Sequence, residues 1–340
     1  MRNNKVLRCA GSSRIAMVLA LGAGVLTAST ATAQDNYPNR PITVVAPYSA
    51  GGDADLAARN FSAAAQKFLG QSVVVLNKTG GSGTIGSASV IGAAPDGYTL
   101  LLGRTGSQAI LPAIQPIKTK YGWEQYTFLA TLELNPYGCL VNAKSDYKTL
   151  KDLTDAIKTK GKGMNYGTAG LLTTNDMGPR LLFKLLKVTG DQQPTEIPYR
   201  GTGEAAQSLL AGQTDFSCGS LGSFLGFVQG GLLRPVMVTT SKRIASMPDV
   251  PTARELGYAD MEGIVGWSAI LGPPNMPADV RAKLVAAIGK IAKDEAWITG
   301  TGRTGSVPYV LSPDETKDFM RKQYDLYRSL GESLGLINAK

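Results

Sequence analysis

The 340-residue chain contains no histidine, and this absence narrows its chemistry before any motif is considered. Ser-His-Asp and Cys-His nucleophile systems and histidine-ligated metal sites all need an imidazole. The commonest general base near neutral pH is missing as well. Carboxylates, lysines and tyrosines remain, so catalysis is not excluded, but the composition disfavours a hydrolase, and we expect no metal site and no cofactor.

Cysteine and clustered basic residues are also scarce. Three cysteines occur, Cys9, Cys139 and Cys218. The last two leave open both a disulfide in an oxidising compartment and a pair of buried free thiols. The formal net charge is +9, of which +5 remains without residues 1–33, and this excess suits an anionic ligand. No compact Lys/Arg run with interleaved aromatic residues is present, so the chain is not predicted to bind nucleic acid.

The N-terminus has the three parts of a secretory signal. Four basic residues, the last of them Arg14, precede an apolar run of about 12 residues, Ile15–Leu26, which is too short to span a bilayer. Ala31-Thr32-Ala33 follows as an A-x-A cleavage site. We therefore expect a signal peptide over residues 1–33, cleavage near Ala33-Gln34, and an exported mature chain.

The rest of the chain alternates β-branched strands, glycine-rich loops and helical patterns. PITVVA at residues 41–46 predicts a strand, and the apolar spacing of residues 56–69 predicts the helix after it. This alternation predicts an α/β fold with mostly parallel sheets flanked by helices. Long amphipathic helices are predicted near the C-terminus, over residues 278–300 and 313–337.

Glycine-rich loops recur between a predicted strand and the following helix. Five such loops cover residues 50–55, 79–83, 103–108, 167–175 and 201–204. Ligands of open α/β sheets bind at the carboxyl ends of strands, where helix N-termini offer unpaired N–H groups to a carboxylate or phosphate. Any one loop is equally well an ordinary tight turn, but five together favour a shared cleft for a small anion.

One of these loops imitates a dinucleotide-binding motif. Residues 81–86 read G-x-G-x-x-G after a β-branched run. A dinucleotide site needs an acidic residue at the end of the next strand, yet no acid follows Gly103 until Glu124. The motif also follows the second strand of its unit instead of the first. A nicotinamide cofactor is therefore not expected.

Longer phrases of the sequence carry a family resemblance over nearly the whole mature chain. They include YPNRPITVVAPYSAGGDAD, LGQSVVVLNKTGGSGTIGSASV, APDGYTLLLG, YKTLKDL, IPYRGTGEA, LLAGQTDF, and MPDVPTARELGY followed by GWSAILGPPNMPADV. Together they resemble the substrate-binding proteins of tripartite tricarboxylate transporters, the Bug family of periplasmic receptors.

The resemblance implies a fold, partners and a compartment. It implies a two-lobed periplasmic binding protein of the type II-like kind, with a ligand cleft between the lobes. One lobe would comprise residues 34–136 and 251–340, and the other residues 137–250. The receptor would be a periplasmic monomer and would not be an enzyme. It would deliver a small carboxylate to the transporter's two membrane subunits, one large and one small.

The resemblance also assigns site residues, and the glycine-rich loops extend the set. The ligand-binding positions expected from both are Tyr48, Ser49, Gly51, Gly52, Thr79, Gly80, Gly81, Ser82, Arg104, Thr105, Ser107, Thr168, Ala169, Leu171, Leu172, Arg200 and Ser220. Asp55, Asn77 and Asp215 are expected to support the loops. A carboxylate beside an anionic ligand would repel it, so helix capping is the safer role for Asp55.

Departures from the family pattern suggest the ligand. Arg104 could pair with a second carboxylate, and Leu171 and Leu172 could pack on an apolar ligand body. We therefore favour a dicarboxylate with a hydrophobic middle, such as terephthalate. The alternatives are citrate-like or amino-acid carboxylates, a sensor role with a signalling protein's periplasmic domain as partner, and an exported enzyme using a pair such as Asp53 and Lys78.

Overall fold

The computed structural model of the protein describes residues 37–244 and 246–337, and Pro38–Lys340 form one compact unit. The predicted signal peptide and Cys9 lie outside the described residues. The strands are β1 (Ile42–Ala46), β2 (Val73–Asn77), β3 (Thr99–Arg104), β4 (Thr127–Asn135), β5 (Tyr137–Asn142), β6 (Asn165–Thr168), β7 (Thr195–Pro198), β8 (Phe216–Ser220), β9 (Leu233–Val238), β10 (Gly266–Gly272) and β11 (Val307–Leu311).

The helices follow most strands. They are α1 (Asp53–Leu69), α2 (Thr84–Ile91), α3 (Leu111–Ile114), α4 (Pro116–Thr119), α5 (Leu150–Lys160), α6 (Thr174–Leu185), α7 (Thr202–Leu210), α8 (Leu225–Gln229), α9 (Ala278–Ile291), α10 (Glu295–Arg303) and α11 (Pro313–Ser333). None of the helices in the described part of the chain is long and apolar enough to cross a membrane.

Two mixed sheets form the centres of two lobes. The first sheet has the order β11-β4-β10-β3-β1-β2, in which β1 pairs in parallel with β2 and β3 while β4, β10 and β11 pair antiparallel. The second sheet has the order β7-β6-β8-β5-β9, in which β6 pairs in parallel with β7 and β8. The α/β fold predicted from the sequence is confirmed, although both sheets are mixed.

The chain passes between the sheets at two places. It leaves the first sheet at Asn135 and begins β5 in the second sheet at Tyr137. It returns over the connection between Val238 and Gly266. The sequence pattern did not predict strands β4, β10 and β11. These three strands complete the first sheet on the side of β3.

Local signals explain where several helices begin and end. Thr149 accepts a hydrogen bond from the backbone N–H of Asp152 and starts α5 as a capping box. Ser312 does the same for α11 with Glu315. Helix α1 ends at Gly70, whose positive φ of 67° is a conformation that glycine adopts without strain.

The prediction of one continuous helix over residues 278–300 is wrong. The chain forms α9 and α10 instead, separated at residues 292–294. Asp294 accepts a hydrogen bond from the backbone N–H of Trp297 and caps a new helix start. This local cap redirects the chain so that Trp297 lies buried, 2% exposed.

The alternative left open for the two cysteines is decided by strand pairing. Cys139 on β5 lies directly opposite Cys218 on the antiparallel strand β8. Their Cα atoms are 4.0 Å apart and their sulfurs form a disulfide. The sequence separation of 79 residues gave no sign of this contact, because only the sheet register brings the two residues together.

Candidate functional site

Loops from the carboxyl ends of strands in both sheets meet around a small cavity of about 30 Å³. The loops follow β1 and β3 in the first lobe and β6 and β7 in the second. The residues that line the cavity are Tyr48, Asp53, Ala54, Arg104, Thr105, Gly106, Ala169, Thr173, Thr174, Asn175 and Thr202. The position matches the rule that open α/β sheets bind ligands beyond their strand ends.

The two walls of the cavity are in close contact. A methyl group on Gly201 in the second lobe would overlap the Ser49 hydroxyl in the first. A methyl group on Gly203 would lie 3.2 Å from the Gly51 carbonyl, and one on Gly106 would lie 3.4 Å from Thr173 Cα. The structure is therefore a closed arrangement of the two lobes.

Three helices begin at the cavity. The lining includes residues of the first turn of α1 (Asp53), α6 (Thr174 and Asn175) and α7 (Thr202). The first N–H groups of a helix have no partner within the helix, and the helix dipole places partial positive charge there. Convergence of three such ends favours a bound anion.

Buried polar atoms at the same place lack partners. The side-chain nitrogen of Asn175 and the hydroxyl oxygen of Ser49 make no hydrogen bond, and Asn175 is 2% exposed. Burying a donor without a partner costs on the order of 1–3 kcal/mol. Asn175 also lines the cavity, so its amide is a candidate donor to a ligand oxygen.

Arg104 reaches the cavity from the end of β3 and is buried, with its side chain 8% exposed. Its Nη1 donates to Asn135 Oδ1 at 2.6 Å and to Ser268 Oγ at 2.5 Å. Behind these residues, Glu133 accepts from Asn135 Nδ2 and Ser268 Oγ. Burial raises the pKa of Glu133 above its usual range.

Asp53 faces Arg104 across the start of α1. Arg104 Nη2 lies 3.4 Å from Asp53 Oδ2, and the Asp53 side chain is 8% exposed. Asp53 Oδ1 accepts from both the backbone N–H and the hydroxyl of Ser223, at 3.1 and 2.5 Å. Ser223 follows β8, so this carboxylate connects the two lobes.

The predicted residues of the first lobe divide into lining and support. Tyr48, Arg104 and Thr105 line the cavity, and burial raises the pKa of Tyr48 to about 12. Tyr48 donates through its hydroxyl to the Ser82 carbonyl at 2.9 Å. Residues without a place in the cavity lining are Ser49, Gly51, Gly52, Thr79, Gly80, Gly81, Ser82 and Ser107.

The loop-support residues of the first lobe contact backbone. Asp55 Oδ2 accepts from the Gly51 N–H at 2.9 Å and from Arg59 Nε at 2.9 Å. Asn77 Nδ2 donates to the Tyr48 carbonyl at 3.1 Å. These contacts hold the loop after β1 in the conformation that presents Tyr48 to the cavity.

Most predicted residues of the second lobe lie away from the lining. Ala169 lines the cavity, whereas Leu171 is 55% exposed and Leu172 is buried at 4%. Arg200 is exposed and forms an ion pair with Glu204. The others lie elsewhere: Thr168 donates to Glu196, Ser220 is buried without a hydroxyl partner, and Asp215 accepts from the Asn165 N–H.

The sequence prediction left out several residues that line the cavity, and most of them share one feature. Apart from Ala54 and Gly106, these are polar residues at helix starts, namely Asp53, Thr173, Thr174, Asn175 and Thr202. A usable signal was present, because polar residues directly before a helical pattern mark its first turn. The prediction named loop residues, while five of the eleven lining residues belong to the first turns of α1, α6 and α7.

A second buried network holds the loop after β6. Thr168 donates to Glu196 at 2.7 Å and accepts from the Gly170 N–H at 3.1 Å. Arg180 contacts both Asp176, at 2.5 Å, and Glu196, at 3.3 Å. Burial, with the nearby Asp176 charge, raises the pKa of Glu196 to about 7.

This raised pKa predicts a pH dependence of stability. Between the ordinary value of 4.5 and about 7, the folded chain retains a proton at Glu196 that the unfolded chain has released. The contribution of this group therefore falls as pH rises through that window, by at most about 3 kcal/mol. Glu196→Gln, which stays neutral, should flatten this part of the profile.

Urea denaturation between pH 4.5 and 8 measures the effect. Exposed Glu124 offers a matched control, because Glu124→Gln should keep the wild-type slope. Asp176 is present in both variants and in the wild type, so the difference reports Glu196 together with its interaction with Asp176. An unchanged slope in Glu196→Gln would show that Glu196 is ionised in the folded chain across this range.

Two α/β lobes with a cavity between them are the arrangement of a two-lobed solute-binding protein. The family model described as the tripartite tricarboxylate transporter family receptor matches residues 57–336. The chain belongs to this family. The resemblance inferred from the sequence is thus confirmed, and because the family consists of solute-binding receptors, so is the prediction that the chain is not an enzyme.

Curated relatives and solved structures agree with this assignment. A UPF0065 protein from the ttuE–ttuC' intergenic region of Agrobacterium vitis is 34% identical over 82% of this chain and 79% of its own length. The protein BugT of Bordetella pertussis is 27% identical over 94% of this chain and 97% of its own length.

Among solved structures, the periplasmic binding protein BugD superposes with a TM-score of 0.82 at 27% identity, covering 88% of this chain and 99% of its own. MatC of Rhodopseudomonas palustris with bound malate superposes with a TM-score of 0.80 at 29% identity, covering 86% and 99%.

Proposed function

We propose that this chain is a periplasmic receptor that captures a small carboxylate in the cavity and delivers it to the membrane subunits of a tripartite tricarboxylate transporter. The observation that carries the proposal is the convergence of three helix N-termini on one buried cavity, together with the unpartnered Asn175 amide. MatC, a relative of this chain, was solved with malate, which is a carboxylate.

Capture requires the lobes to open and close. We propose that residues 34–136 and 251–340 form one moving lobe and residues 137–250 the other, turning about the two chain crossings. The close contact between Gly201 and Ser49 supports a closed state in which the ligand is shielded from water. Closure on the ligand would link binding to a shape that membrane subunits recognise.

The predicted dicarboxylate with an apolar middle, terephthalate for example, has less support than the broader class. Leu171 and Leu172, on which the apolar preference rested, lie outside the cavity lining. Arg104 lines the cavity, but Asp53 faces its guanidinium. We therefore propose the carboxylate class and keep aromatic and aliphatic diacids, citrate and amino acids as members of the test panel.

Thermal unfolding with these carboxylates tests the proposal. At least one should raise the midpoint in a concentration-dependent way, as mass action requires for a ligand of the folded state. Uncharged amides of the same size provide the comparison. If no carboxylate in the panel changes the midpoint more than its amide does, the proposed function is wrong.

Gly201→Ala tests whether closure is needed for binding. The φ of Gly201 is 179°, which any residue adopts, so the added methyl acts through its overlap with Ser49. We expect at least a ten-fold loss of affinity for a carboxylate that binds the wild type, measured by calorimetry. Ser49→Ala combined with Gly201→Ala should recover part of that loss, because the clashing hydroxyl is removed.

A control for this variant lies in α9. A methyl group on Gly289 meets nothing within 4 Å, so Gly289→Ala should leave binding unchanged. Equal affinities of Gly201→Ala and Gly289→Ala would contradict a closed binding state of this geometry.

Transport and sensing remain two uses of the same receptor. Uptake of a labelled ligand that needs this chain and both membrane subunits would support transport. A cellular response to the ligand that survives deletion of the transporter subunits, and still needs this chain, would assign it instead to a signalling protein.

A further inference from the structure

We infer that Asp53 acts as a carboxylate built into the binding site, so that the cavity accepts a ligand with one carboxylate and an uncharged polar end and discriminates against dicarboxylates. The inference rests on the proposed function, because it specifies which class of carboxylate the same cavity takes.

The lining of the cavity contains one acidic and one basic side chain. Among the described residues that line the cavity, Asp53 and Arg104 are the two that carry a formal charge. Their side chains are each 8% exposed and their charged groups approach to 3.4 Å. The lining therefore has no net formal charge, and the attraction for an anion comes from helix N-termini and neutral donors.

Both Nη groups of Arg104 already have protein partners, which leaves the second hydrogen of Nη2 as the Nη donor open to a ligand. One Nη contacts Asn135 and Ser268, and the other faces Asp53. A ligand carboxylate aimed at Arg104 would have to come beside the Asp53 carboxylate. Like charges at such a distance in a partly desolvated site repel strongly.

A ligand cannot easily displace Asp53. Its Oδ1 is held by the backbone N–H and the hydroxyl of Ser223 from the opposite lobe, while its Oδ2 faces Arg104. Moving Asp53 away from Arg104 would therefore also break contacts that connect the lobes. The closed structure keeps this negative charge at the cavity.

The remaining donors suit a single carboxylate. The first turns of α6 and α7 in the second lobe also line the cavity, and the Asn175 side-chain nitrogen there has no partner. We place the ligand carboxylate at these helix starts. The other end of the ligand would then meet Asp53 and Arg104, an acceptor and a donor that together suit an amide or hydroxyl group.

Pairs of ligands that have nearly the same shape but differ by one charge test the inference. The pairs are succinamate and succinate, glutaramate and glutarate, and 4-carbamoylbenzoate and terephthalate, each a monoanion beside a dianion. Titration calorimetry on the wild type should show binding of at least one monoanion, with its dianion at least ten-fold weaker. In Asp53→Asn, which keeps an acceptor oxygen for Ser223 but lacks the charge, the ratio should shift by at least ten-fold toward the dianion.

Ser223→Ala separates specificity from lobe closure. It removes a hydroxyl that contacts Asp53 and leaves both charges in place. We expect it to weaken both members of a pair by the same factor, so that their ratio stays at the wild-type value. A change of ratio in Ser223→Ala equal to that in Asp53→Asn would assign the effect to closure and overturn the inference.

Further results would overturn either the inference alone or the proposed function. If the wild type binds a dianion as tightly as its monoanion, or if Asp53→Asn leaves the ratio unchanged, the inference is wrong while the proposed receptor function stands. If no carboxylate of this set or of the wider panel binds the wild type, the proposed function itself fails.

Discussion

Removal of the Cys139–Cys218 disulfide is expected to lower the free energy of unfolding by about 4 kcal/mol. The bond joins residues 79 apart in the chain, and a cross-link of that span restricts the unfolded chain strongly in the chain-entropy description. It also joins β5 to β8, two adjacent strands of the second sheet, and β8 leads directly to Ser223 at the lobe contact.

Urea denaturation of Cys139→Ala/Cys218→Ala measures this effect. A reducing agent should lower the stability of the wild type by a similar amount and leave that of the double variant unchanged. Alkylation followed by mass spectrometry should label these two positions only after reduction and unfolding, because both cysteines are 0% exposed. If the reducing agent leaves the wild-type midpoint unchanged, the bond contributes far less than the chain-entropy description requires.

Arg104→Met should cost about 3–5 kcal/mol of stability, because it removes one partner from a buried ion pair. The change leaves the Asp53 carboxylate without its cationic partner and deprives Asn135 and Ser268 of a donor. Burial already raises the pKa of Glu133, and loss of the nearby guanidinium would raise it further.

The exposed pair of Arg40 and Asp96 provides the matched control. Its side chains are 59% and 36% exposed, and Arg40 also lies over the Tyr98 ring, so Arg40→Met should cost no more than about 1–2 kcal/mol. Adding Asp53→Asn to Arg104→Met should recover part of the loss, since the Asp53 charge that lost its cation is then removed as well. Equal losses for Arg40→Met and Arg104→Met would show that the Arg104 pair is not desolvated in solution.

The loops could be predicted from the sequence better than the residues that line the cavity. Gly51, Gly52 and their neighbours marked the loop after β1, because glycine and turn residues act locally. The lining depends on which side chain of each loop or helix start faces the opposite lobe. That orientation places Asp53 at the cavity and Leu171 in solvent, although both occur in predicted loops.

Helix boundaries also depend partly on contacts that a local sequence pattern does not show. The apolar spacing of residues 278–300 is compatible with one helix, and the pattern cannot distinguish one helix from two that are separated by a cap. Asp294 both caps α10 and forms an ion pair with Lys67 on α1, at 2.7 Å. A contact between residues so distant in the chain is invisible to a local pattern.

By itself the sequence determined the α/β class, the glycine-rich strand-end loops and the family, because strand and helix periodicity, turn chemistry and family phrases are properties of neighbouring residues. It also excluded histidine chemistry outright. Only the tertiary structure decided the disulfide, the convergence of three helix starts and the pairing of Asp53 with Arg104 and Ser223. These join residues between 51 and 170 positions apart or elements of different lobes, and packing of the two sheets brings them together.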